Sequence, residues 1–196
     1  MFRFKFICED LISPSTEPNT MTFWHGGNLD SSYEDSIAQK SGRWEFGPGL
    51  YLTTHYGTAV KYSKGSRKLY QIVVKKGTDI SEVKLESAIV KDWVKNNCLG
   101  SKKKEVIYAI DMRGEKIDAD IFLNIIVNHK AIQSSKTRAL RQFLIQNGID
   151  YCLVPNAFGW GEMMMVLFNM RKIVKQTQIK PKDKLSTYEL ESEWVK

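Results

Sequence analysis

The sequence predicts an α+β fold built on an antiparallel or mixed sheet. Strand-like and helix-like segments are mixed without a repeating βα unit, and most strands fall early or late with helices between them. The chain has 196 residues, 42% hydrophobic and 26% charged, which suits one domain with a buried core and short extensions. We expect a domain over residues 21–180, an N-terminal extension over 1–20 and a C-terminal one over 181–196.

The elements follow from local pattern. Phe2, Phe4 and Phe6 alternate with Arg3 and Lys5, as in a short strand with one apolar face. Residues 13–19 (SPSTEPN) hold two prolines and predict a loop. Thr22 to His25 predict a strand ending at Gly26-Gly27, and residues 31–40 a helix capped by Ser31 or Ser32. Gly47-Pro48-Gly49 turns into a strand over 50–53, followed by a short helix over 58–63 and a strand over 69–74. Val83, Ala88, Ile89, Trp93 and Val94 carry helical spacing over 82–97, and Gly100 with Lys102, Lys103 and Lys104 predicts an exposed loop. Helices are expected at 119–127 and at 135–147, where Asn147-Gly148 gives the stop. Strands follow at 151–154 and 163–169, with 171–177 pairing beside the latter and an amphipathic helix over 184–196.

Composition excludes several classes. A disordered tail, a collagen-like fibre and a coiled coil are ruled out, and no run approaches the ~20 apolar residues of a membrane span. The N-terminal MFRFKFICEDLI has charges inside its apolar stretch and does not read as a signal peptide. Cys8, Cys98 and Cys152 form neither a disulfide framework nor a zinc pattern, so we expect reduced thiols in a cytoplasmic protein with no metal. Dinucleotide-fold, P-loop, zinc-hydrolase and α/β-hydrolase motifs do not occur.

The net charge is +7, and residues 21–180 hold 24 basic against 15 acidic residues, a net of +9. A basic body attracts nucleic acid, a di-anionic cofactor or an acidic protein. Its clusters include Lys75/Lys76 and Arg171/Lys172/Lys175.

Three segments put polar or aromatic residues beside glycines at strand ends: Trp24-His25-Gly26-Gly27, then GPGLYLTT at 47–54, then Gly161-Glu162 before an apolar strand. Glycine lets a ligand approach the backbone closely. Polar side chains on strands that should be buried are unusual unless satisfied or functional.

In this order these segments resemble the ADP-ribosyltransferase superfamily of the His-Tyr-Glu type, shared by diphtheria-like toxins and poly(ADP-ribose) polymerases. FWHGG is similar to the first-strand His-Gly motif. GPGLYLTT with Ala59 and Tyr62 looks like the G-x-G-x-Y strand and the A-x-x-Y helix behind it. GEMMMVLFNMRKIV looks like the late strand that begins near the catalytic glutamate. The likeness covers about residues 22–178. It implies a split sheet with flanking helices and cleavage of NAD+, as co-substrate, between nicotinamide and ribose. The transition state is oxocarbenium-like. Glu162 would stabilise that charge, and Tyr51 and Tyr62 would clamp the flat pyridinium. His25 would hydrogen-bond the adenosine ribose, the Gly26 backbone the nicotinamide amide, and Thr53 a ribose or phosphate. Gly49 belongs to the same cofactor site. His55 and His129 are read as structural.

Arginine-modifying relatives carry Glu or Gln two positions before the catalytic glutamate, where this chain has Trp160. Phe158 and Trp160 form an aromatic lip suited to stacking on a nucleobase. With the basic body, this points to transfer of one ADP-ribose unit to single-stranded RNA or DNA, as by a small bacterial or phage toxin or effector with a neutralising antitoxin. Protein-directed transfer, NAD+ hydrolysis alone, RNA 2′-phosphotransfer and a non-catalytic nucleic-acid-binding module are the alternatives.

Overall fold

A computed structural model describes residues 19–29, 45–63, 68–157 and 161–179. The strand expected at Phe2–Phe6 positions, the helices expected at 31–40 and 184–196, and the Phe158–Trp160 lip lie outside them.

The described residues form an α+β structure. The strands are β1 (Thr20–Gly26), β2 (Leu50–Thr53), β3 (Leu69–Lys75), β4 (Lys84–Glu86), β5 (Lys116–Asp118), β6 (Tyr151–Pro155), β7 (Met163–Leu167) and β8 (Ile173–Ile179). The helices are α1 (Tyr56–Tyr62), α2 (Ser87–Asn97), α3 (Gly100–Asp111), α4 (Ala119–Asn128) and α5 (Thr137–Gln146). Six strands make one sheet in the order β6-β7-β2-β1-β3-β8, and every pairing in it is antiparallel. β4 and β5 form a separate two-stranded ribbon.

The two faces of the sheet differ. Met164 and Val166 of β7 join Phe122, Leu123, Ile126, Leu140 and Leu144 of α4 and α5 in one apolar cluster. This helical layer covers the β6–β7–β2 half on one side. Phe23, Leu50, Leu52, Ile72, Val74, Met165 and Leu167 form a second cluster on the opposite side. The alternation of Met163 to Leu167 between two buried faces explains why β7 is an unbroken apolar run.

Three expectations are corrected. Residues 100–104 open helix α3 rather than a loop: Val106 and Ile110, four apart, are wholly buried, and burying that face outweighs a lysine-rich first turn. The helix expected from residue 82 starts at Ser87, because Lys84 to Glu86 pair with β5 and the Val83 carbonyl accepts from the Ala119 amide. The last strand does not lie beside β7, whose two edges are taken by β6 and β2; it crosses to the outer edge of β3. Burial pushes the Cys98 thiol up to about 11 and the Cys152 thiol up to about 12, which leaves neither an activated nucleophile.

Asp150 ties the ends of the sheet together. Its Oδ2 accepts from the Thr78 amide at 3.0 Å and lies 2.9 Å from Lys172 Nζ, and its Oδ1 accepts from Asn169 at 2.8 Å. Burial makes its carboxyl a weaker acid, but these donors together outweigh burial and hold the carboxyl below its ordinary value of 3.8. Its stabilising contribution is present at neutral pH and disappears as pH falls through the folded-state value. Asp150→Ala is expected to cost about 2 kcal/mol at pH 7, on the scale of hydrogen bonds to a charged group. In urea denaturation the difference from wild type should shrink as the pH is taken below 3.8.

Candidate active site

The site forms where β1 and β2 part. Their only paired residues are Trp24 and Thr53. From there towards Gly26 the two strands diverge. The Gly27 amide donates to the Lys68 carbonyl. In a trans peptide the Gly26 carbonyl therefore points the other way, towards β2 and into the gap. His25 spans that gap. Its Nδ1 lies 2.9 Å from the Tyr51 carbonyl oxygen, and since a carbonyl only accepts, Nδ1 carries the proton and Nε2 is the acceptor of the neutral ring.

A cavity of about 460 Å³ occupies the opening, within the range of small-molecule sites. Its described lining includes Trp24, Phe46, Tyr51 and Tyr62, with His25, Gly26, Thr53, Thr58 and Glu45 supplying polar groups. Tyr51 is held rigidly, because its hydroxyl donates to the Gly47 carbonyl at 3.0 Å and accepts from the Phe46 amide at 3.3 Å. Tyr62, on the last turn of α1, is 63% exposed and stands at the cavity mouth.

Glu162 lies just before β7 and is only 3% exposed. The β2–β7 register pairs Thr53 with Met164, which places Glu162 beside the end of β2. Thr53 Oγ1 donates to Glu162 Oε1, and Thr58 Oγ1 donates to Oε2 at 3.1 Å. His55 Nδ1 lies 3.4 Å from Oε2. The His55 amide also donates to Thr53 Oγ1 at 3.0 Å, so the one hydroxyl proton of Thr53 is directed at the carboxylate. A carboxylate oxygen accepts about two hydrogen bonds. Among the described residues, Oε2 accepts from Thr58 with His55 close by, and Oε1 accepts from Thr53. Thr53 and Thr58 line the cavity directly in front of the carboxylate.

The structure thus gathers His25, Gly26, Tyr51, Thr53 and Tyr62 around one cavity and puts Glu162 behind its threonine wall. Gly49 does not line it. A Cβ on Gly49 would meet the Leu167 carbonyl at 2.6 Å, and one on Gly26 would overlap the Ala59 carbonyl, so close packing of β7 and of α1 already requires both glycines. Sequence reading missed Thr58, and it took His55 as structural. The available signal was a hydroxyl-rich strand end, Thr53-Thr54-His55, followed one helical turn later by Thr58. Among the described residues, no group of three or more His, Cys, Asp or Glu side chains is arranged to hold a metal. No helix among them is long and apolar enough to cross a membrane.

No protein-family model, curated protein or solved structure matches this chain.

The donors around Glu162 define a measurable coupling. Thr53→Val is expected to destabilise the protein by about 2 kcal/mol by leaving a buried carboxylate short of a donor. Glu162→Gln should relieve part of that loss. A double-mutant cycle in urea should give an interaction of about 1 kcal/mol or more between the two positions.

Proposed function

We propose that this protein is an NAD+-dependent ADP-ribosyltransferase that transfers a single ADP-ribose unit to a macromolecule, with nucleic acid the favoured acceptor. The observation that carries the reading is an aromatic cavity at the β1–β2 split whose threonine wall hydrogen-bonds a nearly buried carboxylate. The split is of the kind that the His-Tyr-Glu resemblance implies.

The chemistry follows from that arrangement. Nicotinamide in NAD+ is a flat cation, and the faces of Tyr51 and Tyr62 attract it by stacking and cation–π interaction. The Gly26 carbonyl, turned into the gap, accepts from the carboxamide N–H. His25 hydrogen-bonds a ribose hydroxyl of the adenosine half. Glu162 Oε1 accepts from a hydroxyl of the nicotinamide ribose, and its charge steadies the oxocarbenium character that develops as the glycosidic bond lengthens. Neutral nicotinamide leaves with the bonding electron pair. An acceptor nucleophile then attacks the anomeric carbon and loses its proton.

The two threonines and His55 fix the carboxylate before the ligand arrives, so little reorganisation is left for the transition state. His55 acts through Glu162 and is a positioning residue.

The test is incubation with labelled NAD+ and separate pools of cell protein, RNA and DNA. Wild type is expected to release nicotinamide and label the nucleic-acid pool. Glu162→Gln should lower turnover by about two to three orders of magnitude, the scale of losing a preorganised electrostatic group, with NAD+ affinity changed only a few-fold. Label confined to protein would redirect the acceptor class. Free ADP-ribose with no label would indicate a hydrolase. Intact NAD+ in every pool would refute the enzyme reading.

A further inference from the structure

We propose that the face of the β1–β3–β8 half-sheet that the described residues leave uncovered, on the side that carries Glu162, is the docking surface for a single-stranded nucleic acid. Calling it the acceptor's surface rests on the reading of the cleft given above; the surface itself stands on separate observations.

Directly paired residues share a face of a sheet. One row runs across the whole sheet: Val154, Met164, Thr53, Trp24, Gln71 and Thr177. The next row outward on β1, β3 and β8 is Thr22, Val73 and Lys175, and beyond it Thr20 pairs with Lys75. Glu162, two residues before Met164, lies on this same face.

Among the described residues, the covering of the face is uneven. The helical layer packs on Met164 and Val166. Helix α1 covers only the end near the cavity, through Tyr56 and Ala59 against Trp24 and Leu69. Past that end, Thr22, Gln71, Val73 and Thr177 are half-buried and Lys75 and Lys175 are exposed. The face is therefore polar and cationic, not apolar. Hydroxyl, amide and ammonium groups of this kind hold phosphates and sugars, without reading bases.

The β3–β8 pairing also merges two sequence clusters. Lys75 and Lys76 end β3, and Arg171 and Lys175 flank the start of β8, opposite Val73 and Val74. All four are exposed, and none has an acidic partner among the described residues, whereas neighbouring Lys172 is paired with Asp150. A lysine on an edge strand also discourages strand-to-strand aggregation. That role accounts for Lys175 but not for the other three. From the Gln71 row to Lys75 is four residues, roughly 13 Å at the rise of a strand. A single strand seated on the cations thus places a nucleotide a short distance along its backbone at the cavity.

The test is fluorescence anisotropy with a short labelled oligonucleotide, as RNA and as DNA, over a salt series. Wild type should bind both single strands, and more tightly than it binds polyglutamate of equal charge. Lys75→Ala/Lys175→Ala should bind about tenfold more weakly at fixed salt. Its slope of log K against log salt should fall by about 1.4, two contacts at roughly 0.7 each. Lys95→Ala/Lys104→Ala, on the helical layer, should match wild type, as should the thermal melt of both variants. Wild-type affinity in the Lys75/Lys175 variant, an equal loss in the helical variant, or equally tight polyglutamate binding would each overturn the proposal. NAD+ cleavage without acceptor is read in parallel. Oligonucleotide binding that depends on Lys75 and Lys175 in a protein that leaves NAD+ intact would uphold this surface while refuting the enzyme. Cleavage without oligonucleotide binding would do the reverse.

Discussion

A carboxylate with almost no exposure to water must be held by donors, and Glu162 is the group on which the rest of this site depends. An unsatisfied charge at such a position would shift to its neutral form or unfold its surroundings. Two donors prevent that: the end of β2 supplies Thr53 and the first turn of α1 supplies Thr58, with His55 at the cap of α1 close by. Because α1 must approach β1 for Thr58 to reach the carboxylate, Gly26 must lack a side chain. The same contact leaves Tyr62 at the mouth of the cavity. Packing and chemistry are thus set by one junction.

The split between β1 and β2 is the complementary constraint. A fully zipped pair would bond the Gly26 and Tyr51 backbones to each other and leave no opening. Instead the pairing stops after Trp24 and Thr53, and the His25 ring replaces the lost backbone ladder with one bond to the Tyr51 carbonyl. The sheet keeps its continuity through that residue while exposing backbone polar groups to a ligand. On the far side the helical layer, centred on Phe122, Leu140 and Leu144, supports β7 and so fixes where Glu162 emerges.

Much of this was legible in the sequence because the signals were local. Alternation, glycine turns and helix stops placed β1, β2, β3, β6, β7, α1, α4 and α5 close to where they lie. What failed was non-local. The three residues of β4 are strand only because β5 lies alongside, and Lys102 to Lys104 are helical only because Val106 and Ile110 are buried further on. The partner of β8 depends on which sheet edge remains open. At the site, His25, Tyr51 and Glu162 stood out because their segments set polar or aromatic residues beside glycines and, taken in order, resemble the His-Tyr-Glu pattern. His55 and Thr58 did not, since their role exists only once the β2–β7 register brings Glu162 to them.

The central claim is most directly tested by a crystal structure with a non-cleavable carbocyclic NAD+ analogue. The account predicts the pyridinium ring between Tyr51 and Tyr62, its carboxamide on the Gly26 backbone, and a hydroxyl of the adjoining ring within about 3 Å of Glu162 Oε1. An analogue bound elsewhere, or one seated in the cavity with the adenine where the pyridinium is expected, would contradict it.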